Sequence, residues 1–229
     1  MPTPLQDQER ATLRRPDLVA LLAFLNDPPR PARLRWAGQS IAGTIQALGD
    51  CRLMQFRADP EACEVFPRVG EAADVHFRIR GVNFRCDAVA HRADPRDGAL
   101  GLEPGVVEWS LTSFRYGGIY YSAQPTGARL QAADGRIHYL RVLALDGEEL
   151  HLFGWPPPRE LVPGSTWSAH VVLGRTRLKD LKVEIAAIQS LFPGCQGRAL
   201  RGVVCAGKEQ VGTALARLTQ SPDKRSQPL

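Results

Sequence analysis

Hydrophobic residues alternate with polar or small residues along most of the chain, a period of two that is typical of half-buried β-strands. Val75, Phe77 and Ile79, for example, are separated by His76 and Arg78, so one face of this segment is apolar and the other polar. The pattern predicts strands at residues 41–47, 51–57, 75–79, 82–90, 119–123, 137–145, 166–173, 181–188 and 199–205. Gly, Pro, Asp or Asn stand between most of these segments, at the short spacing of sandwiches and barrels, so the body is predicted to be mainly β.

A different period, that of an α-helix, occurs at the two ends of the sequence. Pro16 is a favourable first helical residue, and leucines follow it at i, i+3, i+4 and i+7, namely Leu18, Leu21, Leu22 and Leu25. Near the other end, residues 208–218 carry a similar stripe, namely Val211, Leu215 and Leu218, and the polar tail from Ser221 is expected to fray. The sequence therefore predicts one helix before the β body and one after it.

The composition is that of a soluble globular protein. The 229 residues include 29 Lys and Arg against 24 Asp and Glu, a net charge of +5, with 44% hydrophobic and 23% charged residues. No apolar stretch reaches the roughly 18 residues that span a bilayer, and residues 1–15 lack the apolar core of a secretory signal. We therefore expect a cytoplasmic protein without membrane insertion. The mild positive charge does not by itself indicate a nucleic-acid partner.

One segment matches a phosphate-binding pattern. The residues from Gly202 to Lys208 fit G-x-x-x-x-G-K between a predicted strand and a predicted helix. The next residue is Glu209, at the position where a Ser or Thr hydroxyl would ligate magnesium, and its carboxylate would repel nucleotide phosphates. We therefore interpret this segment as the edge of a sheet, a turn and the start of a helix.

The sequence shows no catalytic or metal-binding motif. The cysteines are odd in number, lie far apart and form no C-x-x-C pair, which predicts buried free thiols: Cys51, Cys63, Cys86, Cys195 and Cys205. The histidines form no H-x-x-x-H pair and are expected on solvated strand faces: His76, His91, His138, His151 and His170. Because nothing marks an activated Ser or Cys either, we predict a protein that is not an enzyme and has no metal site.

Two groups of basic residues each allow two interpretations. Arg175, Arg177, Lys179 and Lys182 are placed at a turn between two strands, either as a solvated hairpin tip or as a contact for an anion or an acidic partner. The second group combines arginines with tyrosines, which either stack a base or serve as core and rim residues: Arg78, Arg80, Arg85, Arg115, Tyr116, Tyr120 and Tyr121. In both groups the structural interpretation is the commoner one.

The order of these elements resembles that of the flagellar brake family, which has an N-terminal helix, a six-stranded split barrel, a short linker and a PilZ-type β-barrel closed by a C-terminal helix. The resemblance is carried by residues 16–22 leading to 32–36, by 81–85, by the junction 109–125 and by 211–218. It implies a mainly β fold of two consecutive small antiparallel β-barrels with a helix at each end.

On this layout the chain divides into four parts. We assign residues 1–30 to a leader and helix, 31–110 to the brake-type barrel, 111–220 to the PilZ-like barrel with its closing helix, and 221–229 to the polar tail. The boundary is placed near 108–115. A weak internal repeat supports a division into two halves, because Val69-Gly70 and Pro163-Gly164 each lead into an alternating strand.

The PilZ barrel of the resembling family binds cyclic di-GMP through an R-x-x-x-R linker and a D-x-S-x-x-G strand. In this chain only one linker arginine is present: with Arg115 in the second position the first is Leu111, and with Arg115 in the first position the second is Ile119. An apolar side chain cannot reproduce the bidentate contact of a guanidinium with phosphate or guanine. The linker motif therefore predicts weakened binding.

The second ligand motif is incomplete as well. Starting it at Asp146 puts Glu148 and His151 at the Ser and Gly positions, and shifting it by two puts Ala144, Asp146 and Glu149 at the three motif positions. Carboxylates beside a phosphate weaken binding further. For any residual cyclic di-GMP site, the residues that the resemblance implies are Arg115, Arg141 and Asp146.

We therefore predict a non-catalytic PilZ-type regulator of cyclic di-GMP signalling or flagellar motility, which acts through protein contacts and binds the nucleotide weakly or not at all. The resemblance implies flagellar motor components as partners and recruitment to the flagellar basal body. Two alternatives stay open. One is a sensor of cyclic di-GMP or a related anion, with an altered site formed by Arg115, the nearby tyrosines and the basic turn. The other is a nucleic-acid-binding barrel, which is disfavoured because the chain lacks a long basic stripe.

Overall fold

The computed structural model of the chain describes residues 10–26, 28–48, 53–60, 66–94, 98–111, 113–116, 119–122, 126–155 and 157–219. The helices are α1 (Arg15–Phe24) and α2 (Lys208–Thr219). The strands of the first half are β1 (Arg10–Thr12), β2 (Arg30–Trp36), β3 (Gln39–Leu48), β4 (Leu53–Ala58), β5 (Ala72–Ile79), β6 (Val82–Asp94) and β7 (Ala99–Ser110). Those of the second half are β8 (Ser113–Tyr116), β9 (Ile119–Ser122), β10 (Thr126–Gln131), β11 (Ile137–Asp146), β12 (Glu149–Gly154), β13 (Thr166–Leu173), β14 (Thr176–Ser190) and β15 (Arg198–Ala206).

The first half forms a closed antiparallel barrel of six strands. Its strands are hydrogen-bonded in the order β7-β4-β3-β2-β5-β6, and β6 pairs with β7 to close the barrel. The short strand β1 adds to the outside of β7. Alternation along the strands directs one set of side chains inward, where Ile45, Phe56 and Val75 are fully buried and the rings of Phe77 and Phe84 stack with centroids 5.3 Å apart.

The second half forms another closed antiparallel barrel of six strands. The order is β10-β13-β14-β15-β12-β11, and β10 pairs with β11 to close it. Its core consists of inward side chains from every strand, among them Leu130, Leu152, Val171, Val183 and Leu200. With α1 before the first barrel and α2 after the second, the structure confirms the mainly β fold of two consecutive barrels and two terminal helices.

Contacts within the chain define two compact units. One unit contains Arg10–Ser110 together with the short loop Phe192–Cys195, and the other contains the described residues of Leu111–Leu191 and 196–219. Phe192 is part of the apolar interior of its unit, since its ring lies 5.8 Å from that of Phe24 and 6.3 Å from that of Phe84. No helix in the described parts of the chain has the length and apolar character needed to cross a membrane.

Several strands were not predicted from the alternation. These are the short β1 and β8 together with β2, β7, β10 and β12. In β7 the inward pattern is interrupted: Gly101, Pro104 and Gly105 lie within the strand, and its pairing with β6 has two bulges, so no regular period of two is visible. The predicted tail, 221–229, lies outside the described residues.

The placement of the basic segment at a turn is wrong for most of its residues. The turn between β13 and β14 consists of Gly174 and Arg175 alone, and Gly174 has a positive φ of 61°. Strand β14 begins at Thr176, so Arg177, Lys179 and Lys182 lie on a strand. A two-residue hairpin turn explains the difference, because it moves the strand pairing almost to the tip.

Candidate functional site

Strand β8 positions Arg115 at one end of the second barrel. In β8, Arg115 pairs in parallel with Ala144 of β11 and antiparallel with Tyr120 of β9. This pairing brings its guanidinium to the end of β11, where a terminal nitrogen (Nη2) lies 2.7 Å from Oδ2 of Asp146. Two residues that the resemblance implies for separate motifs therefore form one ion pair.

The Arg115–Asp146 pair is accessible to solvent. The side chain of Arg115 is 43% exposed and that of Asp146 is 32% exposed. An ion pair this close to water contributes only about 0–1 kcal/mol to stability, because high dielectric and side-chain entropy offset the attraction. The pair therefore determines local charge more than it determines the stability of the barrel.

Further ion pairs surround this one. Strands β11, β12 and β15 are adjacent, so Asp146 lies opposite Glu149 and His151 lies opposite Arg201. A terminal nitrogen of Arg201 lies 3.1 Å from Glu149, and Nζ of Lys208 lies 2.6 Å from Glu148. We call the whole group the rim cluster: Arg115, Asp146, Glu148, Glu149, His151, Arg201 and Lys208.

His151 joins two of these pairs. Its Nε2 lies 3.5 Å from a carboxylate oxygen of Glu149 and 3.9 Å from one of Asp146. Apart from His151, the rim cluster contains three cations and three carboxylates, and each cation is paired with its own carboxylate. These six residues therefore carry no net charge, so they provide no net positive charge to attract a phosphate.

Arg141 is placed differently from Arg115 and Asp146. It lies in the middle of β11, its side chain is 4% exposed, and a terminal guanidinium nitrogen (Nη1) donates a hydrogen bond to the backbone carbonyl of Thr126 at 3.1 Å. Thr126 is the first residue of β10, so this bond ties two neighbouring strands together. In this position the Arg141 side chain stabilises the pairing of two barrel strands and is not presented at the surface.

The other linker position also faces the interior. Leu111, which holds the first arginine position in one register, is 4% exposed. Ile119 holds the second position in the other register and begins β9, but its side chain lies outside the described residues. In the first register, then, a buried leucine stands where the resembling family has a ligand arginine.

The G-x-x-x-x-G-K segment has the predicted structure of a sheet edge, a turn and a helix start. It runs from β15 through Gly207, whose φ is +86°, into α2. Gly202 faces Val183 so closely that a Cβ would clash with its methyl group, and a Cβ on Gly207 would lie 2.6 Å from Leu181 Cδ2. The two glycines are therefore required by packing, and Lys208 pairs with Glu148.

The cysteines agree only partly with the prediction of buried thiols. Cys86 and Cys195 are free and buried, whereas Cys205 is free but exposed near the end of β15. Cys51 and Cys63 lie outside the described residues. Burial raises the pKa of the Cys86 thiol to about 12. Among the described residues no group of three His, Cys, Asp or Glu side chains has the geometry of a metal site.

A second charged group lies on the first barrel around Arg85, and the sequence analysis did not identify the carboxylates that contact this arginine. Arg85 in β6 contacts three carboxylates: Asp74 at 3.2 Å, Asp87 at 3.1 Å and Glu108 at 3.9 Å. Desolvation, together with the neighbouring Asp74, raises the pKa of Asp87 despite the attraction of Arg85. These residues come from three strands, β5, β6 and β7, so only their register in the folded barrel brings them together.

Comparison with known proteins gave structural matches only. No protein-family model matches the chain, and no curated protein matches it in sequence. Among solved structures, the chain is similar to MrkH of K. pneumoniae in complex with cyclic di-GMP, with 9% identity and a TM-score of 0.39 over 92% of this chain and 97% of that one.

Two further structures are similar over most of the chain. YcgR of Escherichia coli, in complex with cyclic di-GMP, shows 13% identity and a TM-score of 0.37 over 93% of this chain and 94% of that one. The inhibitor of motility MotI/DgrA of Bacillus subtilis shows 10% identity and a TM-score of 0.33 over 84% of this chain and 98% of that one. These structural neighbours are PilZ-domain proteins of the flagellar brake type, the family that the sequence resembles.

Proposed function

We propose that this chain is a non-catalytic, PilZ-type regulatory protein that acts by binding another protein and binds cyclic di-GMP weakly or not at all. The observation that carries the proposal is the ion pair between Arg115 and Asp146. The single arginine available at the linker position has its positive charge matched by a carboxylate of the same chain. A cyclic dinucleotide would have to displace that carboxylate before Arg115 could bind phosphate.

The charges around the pair do not favour phosphate binding. Displacing Asp146 leaves its carboxylate unpaired beside the ligand, and the neighbouring Glu148 and Glu149 are paired with Lys208 and Arg201, so these two pairs add no net positive charge. Losing one charge-assisted contact costs about 1.5–3 kcal/mol, which is roughly a 10- to 150-fold loss in affinity. Repulsion between the carboxylates and phosphate adds to this loss.

The scaffold itself supports a binding role. In the part of the chain that the structure describes, the two closed barrels have no open sheet edges apart from the short added strands, so their described surfaces are strand faces and loops. Exposed apolar side chains are present on both barrels, namely Val69, Val89 and Val106 on the first and Ile137, Tyr139 and Val162 on the second. Such surfaces can contact a protein whether or not a nucleotide is bound. Flagellar motor components are the partners that the resemblance suggests.

A second candidate function is a sensor of cyclic di-GMP or a related anion with an altered site. The observation that favours it is the exposure of the Arg115–Asp146 pair, because a pair worth about 0–1 kcal/mol can be opened by a competing anion. The two functions differ in whether Arg115 binds ligand in the unmodified protein. Calorimetry therefore distinguishes them.

The test uses cyclic di-GMP titrations of the purified full chain and of a variant with neutral rim carboxylates, Asp146→Asn/Glu148→Gln/Glu149→Gln. We expect binding by the unmodified protein to be undetectable or weaker than about 100 μM, which corresponds to roughly 5.5 kcal/mol. The neutral variant should bind at least about tenfold more tightly, because Arg115 is released and the repulsion is removed.

A matched control changes three exposed carboxylates away from the rim cluster, Asp59→Asn/Glu103→Gln/Glu160→Gln. It alters net charge equally and should leave the titration unchanged. If the unmodified protein instead binds saturably in the nanomolar to low micromolar range, and Arg115→Ala abolishes that binding, the proposal is overturned in favour of the sensor.

A further inference from the structure

The outer face of the second barrel carries a group of cations on neighbouring strands and on the turn between β13 and β14. Strand β13 lies between β10 and β14, and its register places His170 opposite Arg129, Ser168 opposite Lys182, and Val172 opposite Arg177. Inward side chains alternate with these outward ones, except at the bulge of β14, where Lys179 and Asp180 are both exposed. We call the following residues the basic face: Arg129, Arg175, Arg177, Lys179 and Lys182.

Within the described parts of the chain, no carboxylate neutralises a cation of the basic face. None of the five forms an ion pair with a carboxylate among the described residues; Arg129 donates instead to the side chain of Gln131 at 3.2 Å, and Lys182 Nζ lies 2.6 Å from Ser168 Oγ. This contrasts with the rim cluster, where every cation has its own carboxylate.

Two carboxylates lie among these cations. Asp180 is 85% exposed and lies 3.2 Å from His170 Nε2, and Glu184 is exposed further along β14. Five cations therefore face two acidic groups. The face keeps a net positive charge, so it attracts an anionic partner and repels a basic one.

An apolar strip borders the cations on the next strand. Tyr139 of β11 lies directly opposite Arg129, and Ile137 lies directly opposite Gln131. Both hydrophobic side chains are solvent-accessible, at 41% and 40% exposure. Tyrosine and arginine side by side are typical of the energetic centre of a protein interface.

We propose that the outer face of β11, β10, β13 and β14 docks a short acidic segment of a partner protein, with an apolar side chain of that segment against Ile137 and Tyr139. The inference rests on the proposed function, since it names the chemistry of the partner. Four neighbouring strands span about 14 Å, and four residues along a strand span about 13 Å, which suits a short segment.

The geometry favours an acidic peptide over nucleic acid. The β13–β14 hairpin ends at Gly174–Arg175, and β10 pairs with β13 as far as Leu173, so the tip does not project far enough beyond the neighbouring strand to enter a DNA groove. Among the described residues of this face, Tyr139 is the sole Phe, Tyr or Trp side chain, whereas single-stranded nucleic acid is held by stacking of successive bases on such rings.

The test measures fluorescence anisotropy with the full chain and a fluorescein-labelled peptide rich in Asp and Glu that contains one Leu. Two further probes are the same peptide with Asn and Gln in place of the acids, and oligodeoxythymidine as single strand and as duplex with its complement. The face variant is Arg177→Glu/Lys182→Glu. The matched control, Arg57→Glu/Arg159→Glu, changes net charge equally at exposed positions outside the face.

We expect the acidic peptide to bind the unmodified protein more weakly as salt increases, and at least about tenfold more weakly to the face variant. The control variant should match the unmodified protein, and the Asn/Gln peptide should not bind. A milder variant, Arg177→Gln/Lys182→Gln, should give an intermediate loss and removes the possibility that reversal of charge disrupts the barrel.

The inference is overturned if the acidic peptide does not bind, if the face and control variants lose affinity equally, or if the oligonucleotides bind more tightly than the peptide and lose that binding in the face variant. These outcomes leave the cyclic di-GMP titration unaffected. Conversely, tight cyclic di-GMP binding overturns the proposed function without changing the peptide result. Failure of one can therefore be distinguished from failure of the other.

Discussion

A terminal guanidinium nitrogen (Nη2) of Arg115 lies 2.7 Å from Oδ2 of Asp146, although the two residues are 31 positions apart in the chain. In the family that the sequence resembles, residues of these types serve two different ligand motifs. Here they bind each other. The pair belongs to a cluster in which each of three cations is paired with a carboxylate. Because this pairing leaves no net positive charge, we expect weak nucleotide binding.

Arg115→Met should change the free energy of unfolding by no more than about 1 kcal/mol, because exposed ion pairs contribute little to stability. Its side chain is 43% exposed and its partner Asp146 is 32% exposed. Urea denaturation followed by circular dichroism gives the value. A loss of several kcal/mol would show that Arg115 holds the barrel together rather than defining the charge of its rim.

Arg141→Met should destabilise the protein by about 1–3 kcal/mol, because it leaves the buried carbonyl of Thr126 without that hydrogen bond. Arg115→Met is the matched control, since the same side-chain change is made on the same barrel at an exposed position. The two denaturation curves are compared directly. Equal midpoints would contradict the structural role that we assign to Arg141.

Gly202→Ala and Gly207→Ala should each lower the free energy of unfolding by about 1–3 kcal/mol. The added methyl group of Gly202→Ala overpacks against Val183. That of Gly207→Ala overpacks against Leu181, and the position also has a positive φ. Gly212→Ala in α2 is the control: its added Cβ meets nothing within 4 Å, so it should stabilise the helix by up to about 1 kcal/mol. Thermal denaturation of the three variants tests this. If only Gly212→Ala lost stability, the conclusion that packing requires glycine at 202 and 207 would be wrong.

Asp87→Asn should become more stable relative to the unmodified protein as pH rises. The folded-state pKa of Asp87 is raised by desolvation and by Asp74, so its contribution to stability is present below the unfolded pKa and is lost as pH rises through the folded pKa. Because the side chain is 54% exposed, the effect is small and is measured as a shift in denaturation midpoint between about pH 3 and pH 7.

Asp134→Asn provides a comparison of opposite sign. Hydrogen bonds from Arg136, first from its backbone and then from its side chain, lower the folded-state pKa of Asp134. Its contribution is therefore present above the unfolded pKa and is lost as pH falls through the folded pKa. Relative to the unmodified protein, this variant should become less stable as pH rises. Parallel pH profiles for the two variants would be inconsistent with the assigned environments.

The strands that sequence reasoning located best are those with an uninterrupted period and clear ends. Strand β13 occupies Thr166–Leu173, as predicted, because inward residues such as Trp167 and Val171 alternate without a break between two glycine-containing turns. Strand β7 was missed, since glycines, a proline and bulges interrupt its alternation. A bulge places two residues opposite one, so it disturbs the period that the prediction requires.

The candidate site could be predicted only in part. The reason is long-range pairing rather than interrupted alternation. The residue types of Arg115 and Asp146 are visible in the sequence, but their contact depends on the parallel pairing of β8 with β11. The partners of Glu148 and Glu149 lie 60 and 52 residues away, at Lys208 and Arg201. No local pattern specifies such long-range pairs, because they follow from the strand order of the closed barrel.

The most direct test of the account is isothermal titration of the unmodified full chain with cyclic di-GMP, beside Arg115→Ala. We expect no saturable heat up to about 100 μM ligand for either protein, since the arginine at the linker position is already paired with Asp146. Saturable binding in the nanomolar to low micromolar range that is lost in Arg115→Ala would contradict it. That result would show that the nucleotide opens the ion pair and that the chain is a cyclic di-GMP sensor.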